Sequence, residues 1–161
     1  MNYIITIHLE HKEDVIRNIE IPSDETLEAL HCAIIKSLNL DGNEMASFYI
    51  TNEEFELLQE IPLYNFEKKD TNMLSMNKIK ISSVLTKKGS KILYIYDFIK
   101  MWRFLVTFSK ESNNESKVIK HLEKIGEMPN DAPEIKFEEI KEFDPFSEAF
   151  EDSDEFKDYE G

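Results

Sequence analysis

The chain has few of the residues that staple, bend or charge a small fold for chemistry. A single cysteine, Cys32, cannot close a disulfide within the chain, so any stability comes from packing alone. Only 4 glycines are present, which excludes a Gly-rich loop of the kind that cradles phosphates. Arginine occurs twice, at Arg17 and Arg103. A bidentate phosphate-gripping cluster therefore cannot be assembled from this sequence. No apolar run approaches the ~20 residues of a membrane-spanning helix, and Ile92 to Tyr96, the most evident one, has the length of a strand. The opening Met1-Asn2-Tyr3-Ile4-Ile5 lacks the basic and long apolar regions of a secretory signal. A cytosolic protein with no membrane partner is expected.

Acid is abundant. Against 19 Lys plus Arg stand 33 Asp plus Glu, for a formal net charge of -14. Such a chain repels phosphate backbones and anionic lipid at long range, so direct binding to nucleic acid is not expected. Hydrophobic residues make up 41% of the chain and include 11 Phe and 6 Tyr, enough for one domain with its own core.

Two apolar-alternating stretches, Tyr3 to Leu9 and Val15 to Ile21, flank a polar run and predict a β-hairpin. Pro22 closes its second strand, and Ser23, Asp24 and Thr26 offer oxygens for a helix N-cap. Leu27, Leu30, Ile34, Ile35 and Leu38 then fall on one helical face, with Asp41-Gly42 as the stop. Ser47 to Thr51 is a short strand candidate, Glu56 to Tyr64 a weaker one, and the polar Glu67 to Asn77 is expected to be a mobile loop. One helical turn is expected between Ile79 and Leu85. Ile92 to Tyr96 is apolar on both faces and predicts a central strand. Trp102, Phe104, Val106 and Phe108 alternate along its partner, and Val118 to Ile125 suits a last strand or a short helix.

After Pro133 the composition changes. Residues 134 to 161 hold 12 acids and 3 bases, a net of -9, which leaves -5 for the 133 residues before them. This tail also carries Phe137, Phe143, Phe146, Phe150 and Phe156. The expected division is a folded domain over 1 to 133 and an acidic aromatic tail over 134 to 161, solvated when free, with Phe143, Phe146 and Phe150 as its contacts to a partner.

Read together, Val15-Ile16-Arg17-Asn18-Ile19-Glu20-Ile21-Pro22, Thr26-Leu27-Glu28-Ala29-Leu30-His31 and Leu93-Tyr94-Ile95-Tyr96-Asp97-Phe98 with Trp102 resemble the plasmid ORF-3-like family, named for a reading frame on a root-inducing plasmid. The likeness runs over roughly residues 3 to 110, and the tail resembles that of an acidic subgroup. The resemblance implies an α+β fold, β-grasp-like, with a mixed sheet packed on one main helix. It also implies departures from the family pattern. Ile99, Lys100 and Phe104 replace Gly, Asp and His, Glu44-Met45-Ala46 replaces a His-rich segment, and Asn130-Asp131-Ala132-Pro133 replaces a Pro-Pro-Glu-Asp-Cys stretch. A polar site built from those residues would be lost here.

Candidate chemistry is sparse. Arg17, His31, Asp97 and Trp102 lie in the family-like motifs and form the one grouping that could position an anionic substrate, although packing and turn roles are the commoner use of such residues. His8, His11, His31 and His121 invite a metal. Neighbours on a helix point ~100° apart, however, so His31 and Cys32 are poorly placed to share an ion. No metal or cofactor is expected. Relatives labelled resolvases would need several arginines around a scissile phosphate, which two distant arginines do not supply. The reading is therefore a non-enzymatic module that binds an unknown protein partner. The alternatives are a mobile-element accessory or enzyme acting on DNA, and an acidic DNA mimic.

Overall fold

The computed structural model describes residues 1–9, 14–52, 54, 56–64 and 74–129. Seven strands form one sheet in the order β4-β3-β5-β6-β1-β2-β7. They are β1 (Asn2–Leu9), β2 (Val15–Pro22), β3 (Ala46–Thr51), β4 (Leu57–Pro62), β5 (Lys91–Tyr96), β6 (Trp102–Ser112) and β7 (Lys120–Ile125). The main helix is α1 (Leu27–Leu38), and a single turn, α2 (Ile81–Val84), follows a 3-10 turn over Met76–Lys78.

All described pairings are antiparallel. The fold is α+β, but the expected mixed sheet is corrected. The hairpin from β5 turns β6 back alongside β1 in the opposite direction, setting Ile5 against Phe108 and Ile7 against Val106. Ser109 is the extra residue of a bulge there, since Ile4 pairs with Lys110. The bulge increases local twist, and Tyr3 stacks on Phe108 with ring centroids 3.7 Å apart.

Alternation gives the sheet two unequal faces. Inward point Ile5, Ile7, Ile19, Phe48, Tyr94, Phe104 and Val106, and against them lie Leu27, Leu30 and Ile34 of α1 with Met76, Ile81 and Leu85. Thr26 caps α1 by accepting from the Ala29 amide at 3.2 Å. The helix ends at Asn39, left-handed at φ 56, rather than at Asp41-Gly42. Asparagine tolerates that conformation because its short polar side chain bonds locally. Its amide donates back to Ile35 and Lys36, which ends the helix before the glycine is reached. Ile35 is only partly buried, and Ala33 and His31 occupy the inward face with the leucines.

One further expectation changes and another is decided between its alternatives. Ser75 and Met76, placed by their polar surroundings in a mobile loop, are buried, and Met76 belongs to the core. A lone apolar residue in a polar stretch gives no periodicity to read, so only tertiary packing reveals it. Within Val118 to Ile125 the strand alternative holds, as β7 over Lys120–Ile125, exposed at every residue and at the sheet edge. Residues 67 to 73 and the tail from 130 onward, including Phe143, Phe146 and Phe150, lie outside the described residues.

Candidate functional site

The four sequence-predicted site residues are all buried, and the structure does not bring them together. Arg17 points inward from β2, opposite Ile7. Its Nε donates to the Ser37 carbonyl at 3.0 Å, and one terminal nitrogen donates to the Ile16 and Ile125 carbonyls at 2.9 Å each. The guanidinium thus closes the C-terminal end of α1 and ties it to β7, where carbonyls lacking helical partners favour a cation. Burial pushes its pKa down, partly offset by the charge of Glu127.

His31 sits in the middle of α1, with Nδ1 2.7 Å from the Tyr94 hydroxyl on β5. Burial lowers its pKa to about 4, so the imidazole is neutral at pH 7. The same burial raises Tyr94. A neutral imidazole bonded to an un-ionised phenol is a satisfied core pair, held among Phe48 and Phe104.

Asp97 holds the turn between β5 and β6. It has φ 64, its amide donates to the Met45 carbonyl, and its Oδ1 accepts the amides of Ile99 and Lys100 at 3.0 and 3.2 Å. An aspartate that bonds its own backbone can occupy this left-handed position, and its carboxylate is engaged in doing so. Trp102 opens β6 opposite Tyr96 and lies in the core. None of the four bonds to another.

Other polar groups do converge. Tyr96 donates its hydroxyl to Asp41 and accepts the Gly42 amide at 3.0 Å. Burial, then the Asp41 bond, pushes Tyr96 up to about 12, and the Tyr96 and Asn43 bonds hold the Asp41 carboxyl below its usual range. In the sequence Asp41 reads as a helix stop and Tyr96 as core, with no signal that they meet. On the far face Ser47 donates to Glu60 at 2.6 Å, with Tyr49 at 3.3 Å. At the other side of the sheet Glu20 accepts from Asn2 and Ser112 at 3.4 and 3.0 Å. A groove of about 600 Å³ lies over Ile50, Val84 and Ile92, with Lys87, Lys88 and Lys91 on its rim. Among the described residues, no group of three or more His, Cys, Asp and Glu could hold a metal ion. His11 lies outside those residues.

Arg17, His31 and Asp97 lie in the motifs that carry the family likeness, and the whole-chain comparison decides it. The sequence pattern of the Plasmid pRiA4b ORF-3-like proteins matches residues 1–160. The chain belongs to that family. The match is wider than the motifs alone indicate, since it runs past residue 110 and through the acidic tail. Among solved structures, this plasmid ORF-3-like protein is similar to a protein of unknown function from Methanosarcina mazei Go1. The two share a TM-score of 0.61 at 21% identity, over 76% of this chain and 68% of that one. At that identity the likeness shows the fold alone. No curated protein matches. No described helix is long and apolar enough to cross a membrane.

Proposed function

We propose that this plasmid ORF-3-like protein is a non-enzymatic interaction module that takes an extended segment of a partner protein along the β4 edge of its sheet. The observation that carries the reading is β4 itself. Among the described residues it is a terminal strand that pairs only with β3, and its Leu57 and Leu58 are 53% and 60% exposed. An open strand edge flanked by exposed leucines offers main-chain bonds for affinity and side-chain contacts for register. The former candidates for chemistry support the same reading. Arg17 is engaged by three carbonyls, His31 by Tyr94 and Asp97 by its own turn.

The reading places the module in the cytosol, on a β-grasp-related body of an acidic-tailed subgroup of the family. The test compares the full chain with its Leu57→Lys/Leu58→Lys variant as bait in the same lysate. A stoichiometric partner held by the parent and lost by an equally stable variant supports the edge. Recovery of DNA with salt-sensitive affinity, or an equal yield of the same partner on both baits, sinks the proposal.

A further inference from the structure

The stretch from α2 into β5 gathers positive charge in a chain where 33 acids outnumber 19 bases. Lys87, Lys88 and Lys91 are exposed around the groove of about 600 Å³ that lies over Ile50, Val84 and Ile92. No described aspartate or glutamate lines it. Glu54 and Glu56 stand in the turn after β3, where their amides donate to Asn52 Oδ1 at the groove wall. Among the described residues, neither they nor any other acid forms an ion pair with the three lysines.

We propose that this groove binds an acidic segment of a partner protein, with carboxylates on Lys87, Lys88 and Lys91 and an aliphatic side chain over Ile50, Val84 and Ile92. The site goes beyond the β4 reading and does not rest on it, because no residue of β4 lines the groove. Its frame is set before a ligand arrives. Gly89 has φ 92, a conformation that favours glycine, and its amide donates to the Phe108 carbonyl at 2.8 Å. The Lys87 amide donates to Ser90 Oγ at 3.1 Å, and the Ser90 amide returns to the Lys87 carbonyl at 2.9 Å. A pre-ordered turn lowers the entropic cost of binding.

The same bonds select carboxylate over phosphate. A phosphate cradle needs main-chain amides free to point at the anion, and these three are spent inside the fold. Lysine supplies point charges, not the planar fork that grips phosphate from two sides. A nucleic acid, charged along its whole length, would also run off the groove onto a chain of net charge -14. A short acidic segment stays within it. At ~0.15 M salt, charges more than ~8 Å apart are largely screened, so the lysines in contact outweigh the distant acids.

Fluorescence anisotropy of a labelled Glu-Glu-Leu-Glu-Glu peptide with the full chain tests the site at ~0.15 M salt. Saturable binding with a Kd below ~1 mM is expected. Lys87→Ser/Lys88→Ser/Lys91→Ser, which changes only exposed side chains, is expected to weaken it at least ~10-fold. The triple arginine variant is expected to keep it. Gln-Gln-Leu-Gln-Gln and Glu-Glu-Ser-Glu-Glu are both expected to bind more weakly than the parent peptide, and ~1 M salt is expected to release it. No saturation, or equal binding by the triple serine variant, overturns the proposal. Equal binding of the glutamine peptide, or tighter binding in ~1 M salt, overturns it in favour of a purely apolar contact. Displacement by single-stranded DNA at lower concentration than by unlabelled peptide overturns it in favour of phosphate. Loss of binding in Leu57→Ser/Leu58→Ser, with the triple serine variant unaffected, moves the peptide to the β4 edge and overturns the groove alone.

Discussion

Replacing Arg17 with methionine keeps the length and apolar stem of the side chain and removes only the guanidinium. Arg17 donates to the carbonyls of Ser37, Ile16 and Ile125. Near the end of α1 the amides of Asn39 and Leu40 go to Ile35 and Lys36, which leaves the Ser37 carbonyl to the arginine. A buried acceptor left without a donor costs ~1–3 kcal/mol, and the three carbonyls here, in part-buried bonds, lie toward the lower end of that range. Removing a desolvated charge returns part of that, because burying an ion carries a penalty of several kcal/mol. The expected net loss is about 2–4 kcal/mol, a large share of a typical domain's stability of ~5–15 kcal/mol. Urea unfolding followed by the fluorescence of Trp102, the chain's single tryptophan, reads it as a midpoint lower by ~1–2 M. Arg17→Lys, a point charge with no fork, is expected to fall between the two. Exchange at Asn39, Leu40 and the β7 amides should quicken in the methionine variant. A midpoint within ~0.2 M of the parent would refute the strut and return Arg17 to the list of groups free to bind a ligand.

Two further outcomes follow from the geometry. His31, lowered to about 4 by burial, binds its proton less readily folded than unfolded, where ~6.5 applies. Stability is then complete above about pH 6.5 and is lost as pH falls toward about 4, by at most ~3 kcal/mol. Proton-detected titration should show the His31 ring neutral down to about pH 5, and a midpoint near ~6.5 would contradict its burial. Gly126 has φ 77, and a Cβ there would stand 2.2 Å from the Asp14 carbonyl oxygen. Gly126→Ala combines a left-handed alanine with a backbone clash, and is expected to cost about 2–4 kcal/mol and to loosen β7 first. Unchanged protection of Lys120 to Ile125 would show that the strand tolerates the shift.

The α+β class and most elements were legible because they rest on periodicity, which is a local property. The hairpin of β1 and β2, the span of α1 and the pairing of β5 with β6 follow from where apolar residues recur. Ile92 to Tyr96, apolar at every position, marked the strand buried on both faces. Turn and cap chemistry was less legible, since Asn39, Asp41-Gly42 and Asp97 all carry turn signals and only the folded backbone shows which ends the helix and which turns the hairpin.

What belonged to the tertiary structure alone was direction and company. Whether β6 runs with or against β1 depends on how many times the chain has reversed before they meet, and no residue in either strand records that count. The same holds for the residues singled out for chemistry. Arg17, His31 and Asp97 look alike in sequence, as polar groups in shared motifs. Yet Arg17 meets a helix-end carbonyl 20 residues along the chain and His31 a phenol 63 residues away, while Asp97 bonds its own turn. A residue type states what bonds a side chain can make, and the fold decides which partner stands within ~3 Å to make them.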